Sequence, residues 1–235
     1  MNYVMSDLHG MFQEYRKMLD KINFSSDDSL YILGDICDRG PDTAKLYLDI
    51  ISRNNVYCIR GNHEEMLLDA LPENFGYLRE LKEKPEESVY DSEIWCACGG
   101  NETRLSLFGQ DREIVEEIYS YIKQLPFYRN IKIGETEYTL VHAGIENFSS
   151  DKPMDSYAIE EFIWYSPEFD DTLWNDNNKI LIVGHTPTFI FREDKQAKIY
   201  HGKGNIIDID CGAVFREDGG KLGCLCLETM KEFYV

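Results

Sequence analysis

The chain has 235 residues, with 24 Lys plus Arg against 43 Asp plus Glu, and a formal net charge of −19 at pH 7. Such a field repels polyanions, which argues against nucleic acid as a partner, and it suits divalent cations. Hydrophobic residues make up 43%, which argues against disorder, and no apolar run approaches the ~20 residues that span a bilayer.

At this length a single domain is expected. Met1-Asn2-Tyr3-Val4-Met5 runs straight into a polar motif, with no basic or apolar leader region. The seven cysteines are an odd number, which points to reduced thiols and a cytoplasmic setting. Cys96/Cys98 and Cys224/Cys226 form two CxC pairs. A four-thiol zinc site would favour CxxC spacing, so small residues on one strand face or in a loop are the expectation.

Tyr3-Val4-Met5 predicts a short strand ending in Ser6-Asp7-Leu8-His9-Gly10. Phe12, Tyr15, Met18, Leu19 and Ile22 then follow at helical spacing. Leu30-Tyr31-Ile32-Leu33 predicts the second strand, which runs into Gly34-Asp35-Ile36-Cys37-Asp38-Arg39-Gly40. Pro41 suits a helix first turn, and Ala44, Tyr47, Leu48 and Ile51 form the next apolar stripe. Val56-Tyr57-Cys58-Ile59 is the third strand, followed by Arg60-Gly61-Asn62-His63-Glu64 and a helix from Met66. This is a β-α-β-α-β order and implies an α/β fold with a largely parallel sheet.

Pro72, Pro85, the acidic and basic run at 82–87 and Gly99-Gly100 interrupt the rhythm. Residues 72–111 read as an inserted lid or specificity lobe, and 112–124 as helix. Short strands are expected at 129–133, 137–141, 179–183, 197–200, 205–209, 222–227 and 231–234, with one helix near 157–164. Two of these strands end in His142-Ala143-Gly144 and Gly184-His185-Thr186-Pro187.

Four of the five histidines, His9, His63, His142 and His185, thus sit in strand-end loops; His201 lies elsewhere and reads as a structural residue. Ligands gather at such strand ends in open α/β sheets. Asp7 and His9 are two residues apart, so an extended backbone points them the same way. Asp35 follows a neighbouring strand, and Asn62, His142 and His185 add further donors. Imidazole with carboxylate and amide oxygens suits transition metals, and the set suffices for two ions bridged by Asp35. Two metals about 3.5–4 Å apart can clamp an in-line displacement at phosphorus and acidify a water. Each motif alone would be a tight turn with a hydrogen-bonded histidine; their joint occurrence in order is what carries weight.

SDLHG (6–10), GDICDRG (34–40), GNHE (61–64), HAG (142–144) and GHT (184–186) together resemble the PPP-type metallophosphatases of the calcineurin-like phosphoesterase superfamily. Length and Ile209-Asp210-Cys211-Gly212-Ala213-Val214-Phe215 resemble the bacterial and phage-lambda-type serine/threonine protein phosphatases within it. The resemblance implies a sandwich of two mixed β-sheets flanked by helices. It makes Asp7, His9 and Asp35 ligands of one ion, and Asp35, Asn62, His142 and His185 ligands of the other. His63 becomes the general acid, oriented by Asp38, with a hydroxide bridging the ions as nucleophile. Arg39 and Arg60 become phosphate contacts. Manganese is the expected metal, with iron and zinc compatible. A phosphoprotein or phosphopeptide substrate and a monomeric enzyme are expected. Asp210 suits either the orientation of a ligand histidine or the capping of its own loop.

One departure stands out. The branch often carries Arg two residues after the Trp at position 164, where this chain has Ser166. Arg192 and Arg216 are the other cations near in sequence that could serve. A second enzymatic reading is a hydrolase similar to the symmetrical diadenosine tetraphosphatases, which share the metal motifs but favour Ala at Asp38 and GNHD at 61–64. A third, of another class, is an inactive phosphoprotein-binding scaffold, which would need neither His63 nor Asp38.

Overall fold

The computed structural model describes residues 1–71 and 90–235. The first part alternates as the periodicity predicts: β1 (Asn2–Met5), α1 (Phe12–Lys21), β2 (Ser29–Ile32), α2 (Thr43–Ile51), β3 (Val56–Cys58) and α3 (Asn62–Ala70). A helical segment follows, made of α4 (Tyr90–Trp95), a π-helical turn (Cys96–Gly100), α5 (Asn101–Phe108) and α6 (Arg112–Lys123). The remainder is mostly strands: β4 (Tyr128–Ile133), β5 (Thr136–Val141), β6 (Lys179–Val183), β7 (Tyr200–His201), β8 (Ile206–Asp208), β9 (Gly223–Cys226) and β10 (Lys231–Tyr234). Two short helices interrupt them, α7 (Glu160–Ile163) and α8 (Thr188–Phe191).

Two mixed five-stranded sheets result, ordered β10-β9-β1-β2-β3 and β4-β5-β6-β8-β7. In the first, β1, β2 and β3 are parallel and β9 runs against both its neighbours. In the second, β5, β6 and β8 are parallel, with β4 and β7 antiparallel at the edges. The period of two along each strand decides how the sheets face. Val4 and Leu225 of the first sheet pack with Tyr138, Leu140, Ile182 and Ile207 of the second, forming the seam between them. Tyr3, Met5, Leu30 and Ile32 point the other way, against Tyr15, Met18 and Leu19 of α1 and Leu46 and Tyr47 of α2. Leu181 and Val183 of β6 pack outward with Tyr157, Phe162 and Ile163. Each fully buried Leu or Ile contributes about 1.5–3 kcal/mol, so the seam alone outweighs any single polar contact.

Cys224 and Cys226 share one face of β9 and are buried against the helices, as small residues, while Cys96 and Cys98 lie in the π-helical turn. All seven cysteines are free thiols. The expected strand at 197–200 is reduced to Tyr200–His201. Ala197 and Ile199 are buried as alternation predicts, but Lys198 N–H turns back onto the Gln196 carbonyl and leaves the ladder. Of the expected insertion, 72–89 lie outside the described residues, and 90–108 pack on α2 and α3. Among the described residues no helix is long and apolar enough to cross a membrane.

Candidate dinuclear metal centre

The parallel strands of both sheets end at a common edge, and the polar loops meet there. Beyond the ladder, the loops after β1 and β2 stay zipped: Asp7, His9 and Gly10 N–H donate to the carbonyls of Gly34, Asp35 and Ile36 at 3.2, 2.8 and 2.8 Å. The second sheet joins through His142, whose Nδ1–H donates to Leu33 O at 2.7 Å, and through His185 N–H, which donates to Asp7 Oδ2 at 3.0 Å. Close approach demands glycine: a Cβ on Gly61 would lie 2.3 Å from Asp35 Oδ1.

The loops are bent sharply. Ten non-glycine residues have positive φ among those described, and six of them are Asp7, His9, Asp35, Asp38, Arg39 and His185. Left-handed backbone at such residues costs on the order of 1 kcal/mol each, so the strain of this fold is concentrated at the site.

Asp35 is the common centre. His9 Nε2 lies 3.6 Å and His63 Nε2 3.8 Å from its Oδ2, and His142 Nε2 lies 3.4 Å from its Oδ1. Asn62 Oδ1 lies 2.8 Å from His142 Nε2 and 3.1 Å from His185 Nδ1. Two donor clusters thus share Asp35, one with His9 and His63, the other with His142 and His185. Asp7 accepts at Oδ2 from the Ser6 hydroxyl and from His185 N–H, and it belongs to neither cluster. The donors fit a pair of cations. His9 Nδ1–H donates to the Cys37 carbonyl at 2.9 Å, as His142 Nδ1–H does to that of Leu33, so both rings turn a bare Nε2 inward. Burial first, then Arg39 and His63, holds the His9 pKa far below its ordinary value. Burial and His142 lower that of His185 to about 3. Neutral imidazoles are the ligating form. Burial, with Asp7 and Glu64 adding, raises the pKa of Asp35 despite the opposing His63, a penalty that a bound cation would relieve.

His63 differs from the other three. Its Nδ1–H donates to Asp38 Oδ2 at 2.7 Å. Burial favours the neutral ring, but Asp35 and Asp38 outweigh it and raise the pKa. Arg39 reaches between the rings, with Nη1 2.7 Å from His9 Nε2 and Nη2 2.9 Å from His63 Nε2. A neutral His63 can accept from Arg39; a protonated one cannot.

Other expected residues are placed elsewhere. Arg60 is tied to Glu65 at 2.8 Å and to the Lys123 carbonyl at 2.6 Å, with its guanidinium over Phe127. Ser166 Oγ lies 2.6 Å from Thr186 Oγ1, beside His185, so position 166 does border the site. Arg192 pairs with Asp194, and Arg216 with Glu14. Asp210 Oδ1 accepts from Gly212 N–H at 2.7 Å, the loop-capping one of its two expected roles. His201 pairs with Glu232, as a structural residue.

Glu64 was given no role by its motif, yet it is fully buried and ties the second loop to the third. It accepts from the N–H groups of Asp35, Ile36 and Gly61 and from the Tyr47 hydroxyl, at 2.8, 2.8, 2.9 and 2.9 Å. Trp95 and Thr103, from the segment expected as a lid, both donate to Asp38.

Two mixed sheets with a shared-carboxylate donor set at one edge define a metallophosphoesterase. The chain belongs to the calcineurin-like phosphoesterase family, whose match covers residues 3–215. It is 25% identical to serine/threonine-protein phosphatase 1 of Salmonella typhimurium over 94% of this chain and 88% of that protein. It is 41% identical to a symmetrical bis(5'-nucleosyl)-tetraphosphatase of Wigglesworthia glossinidia brevipalpis, but over only 28% of this chain and 25% of that protein. In fold it is similar to a Saccharomyces cerevisiae serine/threonine phosphatase, with a TM-score of 0.60 at 17% identity over 95% of this chain and 71% of that one.

Proposed function

We propose that this chain hydrolyses phosphoserine or phosphothreonine monoesters in proteins. The observation that carries the reading is the His63–Asp38 pair, buried beside Asp35 and its two donor clusters. Asp7, His9 and Asp35 would hold one ion, and Asp35, Asn62, His142 and His185 the other. Divalent ions there would supply Lewis acidity and acidify water for in-line attack. Manganese is the first ion to test, with iron and zinc next, since the mixed N and O donors suit all three.

The chain's own residues do the rest. Asp38 holds Nδ1–H of His63, so Nε2 faces the leaving oxygen and delivers a proton to it. Arg39 supplies two N–H donors that match phosphate oxygens. Arg60 would join only by leaving Glu65. All these groups come from one chain, so the expected monomer suffices. Free thiols fit the expected cytoplasmic setting.

The identity to a symmetrical tetraphosphatase supports a second reading, a nucleoside polyphosphate hydrolase. Metal-reconstituted protein assayed side by side on a phosphopeptide, diadenosine tetraphosphate and an aryl phosphate separates the two. A kcat/KM for the dinucleotide tenfold above that for the phosphopeptide would overturn the first. No hydrolysis of any of them would leave the inactive scaffold.

A further inference from the structure

We propose that Trp95 and Thr103 are positioning residues for proton delivery, clamping Asp38 so that His63 is held in one orientation. This rests on the reading of His63 as general acid.

Asp38 is wholly buried, and donors surround it. Its Oδ2 takes Nδ1–H of His63 at 2.7 Å and the indole N–H of Trp95 at 2.9 Å. Its Oδ1 takes the Thr103 hydroxyl at 2.7 Å and shares the same indole N–H at 3.0 Å. The Thr103 oxygen in turn accepts from the backbone N–H of Asp38 at 2.7 Å. One hydroxyl therefore fixes both the main chain and the side chain of the residue that orients His63. A carboxylate held by His63 alone could rotate and carry the ring with it; three side-chain donors fix its plane.

The chemistry of the clamp is selective. Indole N–H and hydroxyl are neutral, so they fix the carboxylate without cancelling the charge that an imidazolium needs. A Lys or Arg in their place would cancel it. Trp95 has no acceptor and cannot compete for the Nδ1 proton.

Local backbone serves the same end. The clamp lies on α4 and α5, on either side of the π-helical turn. A Cβ on Gly100 would sit 2.4 Å from the Trp95 indole, so glycine there makes room for it. Gly99, at φ 107°, gives its carbonyl to Arg39 N–H at 3.0 Å. The segment thus braces the proton-holding pair and the adjoining anion-binding Arg39 together.

The test uses the metal-loaded full chain and the variants Trp95→Phe, Thr103→Val and Thr103→Ser. Two aryl phosphates, one with a poor and one with a good leaving group, report on proton delivery. Trp95→Phe and Thr103→Val should each lower kcat about tenfold on the poor leaving group, part of the ~10²–10⁴ that a general acid supplies. KM, bound metal and kcat on the good leaving group should stay near wild type, and Thr103→Ser should retain activity. In a His63→Asn background neither change should cost anything further. In metal-free protein, the His63 Nδ1 proton signal should broaden in Thr103→Val but not in Thr103→Ser. Should Trp95→Phe fail to fold, the Thr103 pair decides. Equal losses on both esters, or losses that multiply with His63→Asn, would overturn the clamp. His63→Asn alone reports on the underlying reading: an equal loss on both esters there overturns the general acid, and the clamp with it.

Discussion

Replacing Glu64 by Gln changes one atom and loosens the knot beneath the site. Oε2 accepts from Asp35 and Gly61 N–H, and Oε1 from Ile36 N–H and the Tyr47 hydroxyl. Whichever way the Gln amide turns, its NH2 faces at least one backbone N–H, that of Ile36 on one side or those of Asp35 and Gly61 on the other; only the Tyr47 hydroxyl can turn to accept. Hydrogen bonds to a charged group contribute about 1.5–3 kcal/mol each, so losing one or two costs about 1.5–6 kcal/mol. In a domain of this size 1 kcal/mol moves Tm by about 2–4 °C, which puts the drop at about 3–24 °C. Thermal unfolding of metal-free wild type and Glu64→Gln at pH 7 measures it. The pH dependence supplies a sign. Burial pushes the Glu64 pKa up, but the N–H groups of Gly61 and Ile36, the Tyr47 hydroxyl and Asp35 N–H bring it below the ordinary value. Its contribution is therefore present above the unfolded value of about 4.3 and lost as pH falls through the folded one. The gap between wild type and variant should narrow in acid. A drop below about 2 °C at pH 7, or a gap that widens in acid, would refute the reasoning.

Chelation should abolish aryl phosphate hydrolysis and manganese should restore it, with Asp35→Asn among the most damaging single changes because an amide bridges two dications poorly; activity after verified metal removal would exclude a metal-dependent reaction. His142→Asn and His185→Asn should each reduce occupancy of one ion, read as metal per chain, with losses that excess metal partly reverses. His63→Asn should keep its metal and slow turnover by about 10²–10⁴-fold on a poor leaving group; loss of metal there would place His63 among the ligands, as its distance to Asp35 permits. Ser166→Arg should lower KM for a phosphoester or tighten inhibition by inorganic phosphate, since residue 166 touches Thr186 next to His185; unchanged constants would mean that another cation already serves.

The strand-end histidines and carboxylates were legible because each lies in a short glycine-containing polar loop just past an apolar run, and that signal is local. The parallel β1-β2-β3 order followed from the periodicity and the second mixed sheet from the family resemblance, while alternation gave the same-face burial of Cys224 and Cys226. Other features depend on what folds against a residue. Glu64 lies in plain view in its motif, but beyond the local Gly61 N–H its donors come from two other segments, the loop after β2 and α2, and meet it only once β2 and β3 pair. Trp95 and Thr103 read as part of an insertion because Pro72, Pro85, the charged run and Gly99-Gly100 interrupt the rhythm there, and the sequence does not show that Gly99-Gly100 closes a π-helical turn that sets both beside Asp38. Arg60 looked free to bind phosphate, since sequence alone cannot show that Glu65 and the Lys123 carbonyl already hold it. Ala197 and Ile199 alternate like a strand without joining one, because burial constrains side chains and leaves the backbone pairing open.

The position of β9 beside β1 bears on how the protein is made. β1 is synthesised some 220 residues before β9, and until residues 223–226 follow it stays a sheet edge. Over that interval its apolar Tyr3, Val4 and Met5 border an unpaired row of backbone groups, a template for wrong partners. Pairing across some 220 residues is also slow, since distant contacts close large loops before they stabilise anything. Products that end between His185 and β9 should therefore be found in aggregates or on chaperones, even though they already carry every candidate metal ligand.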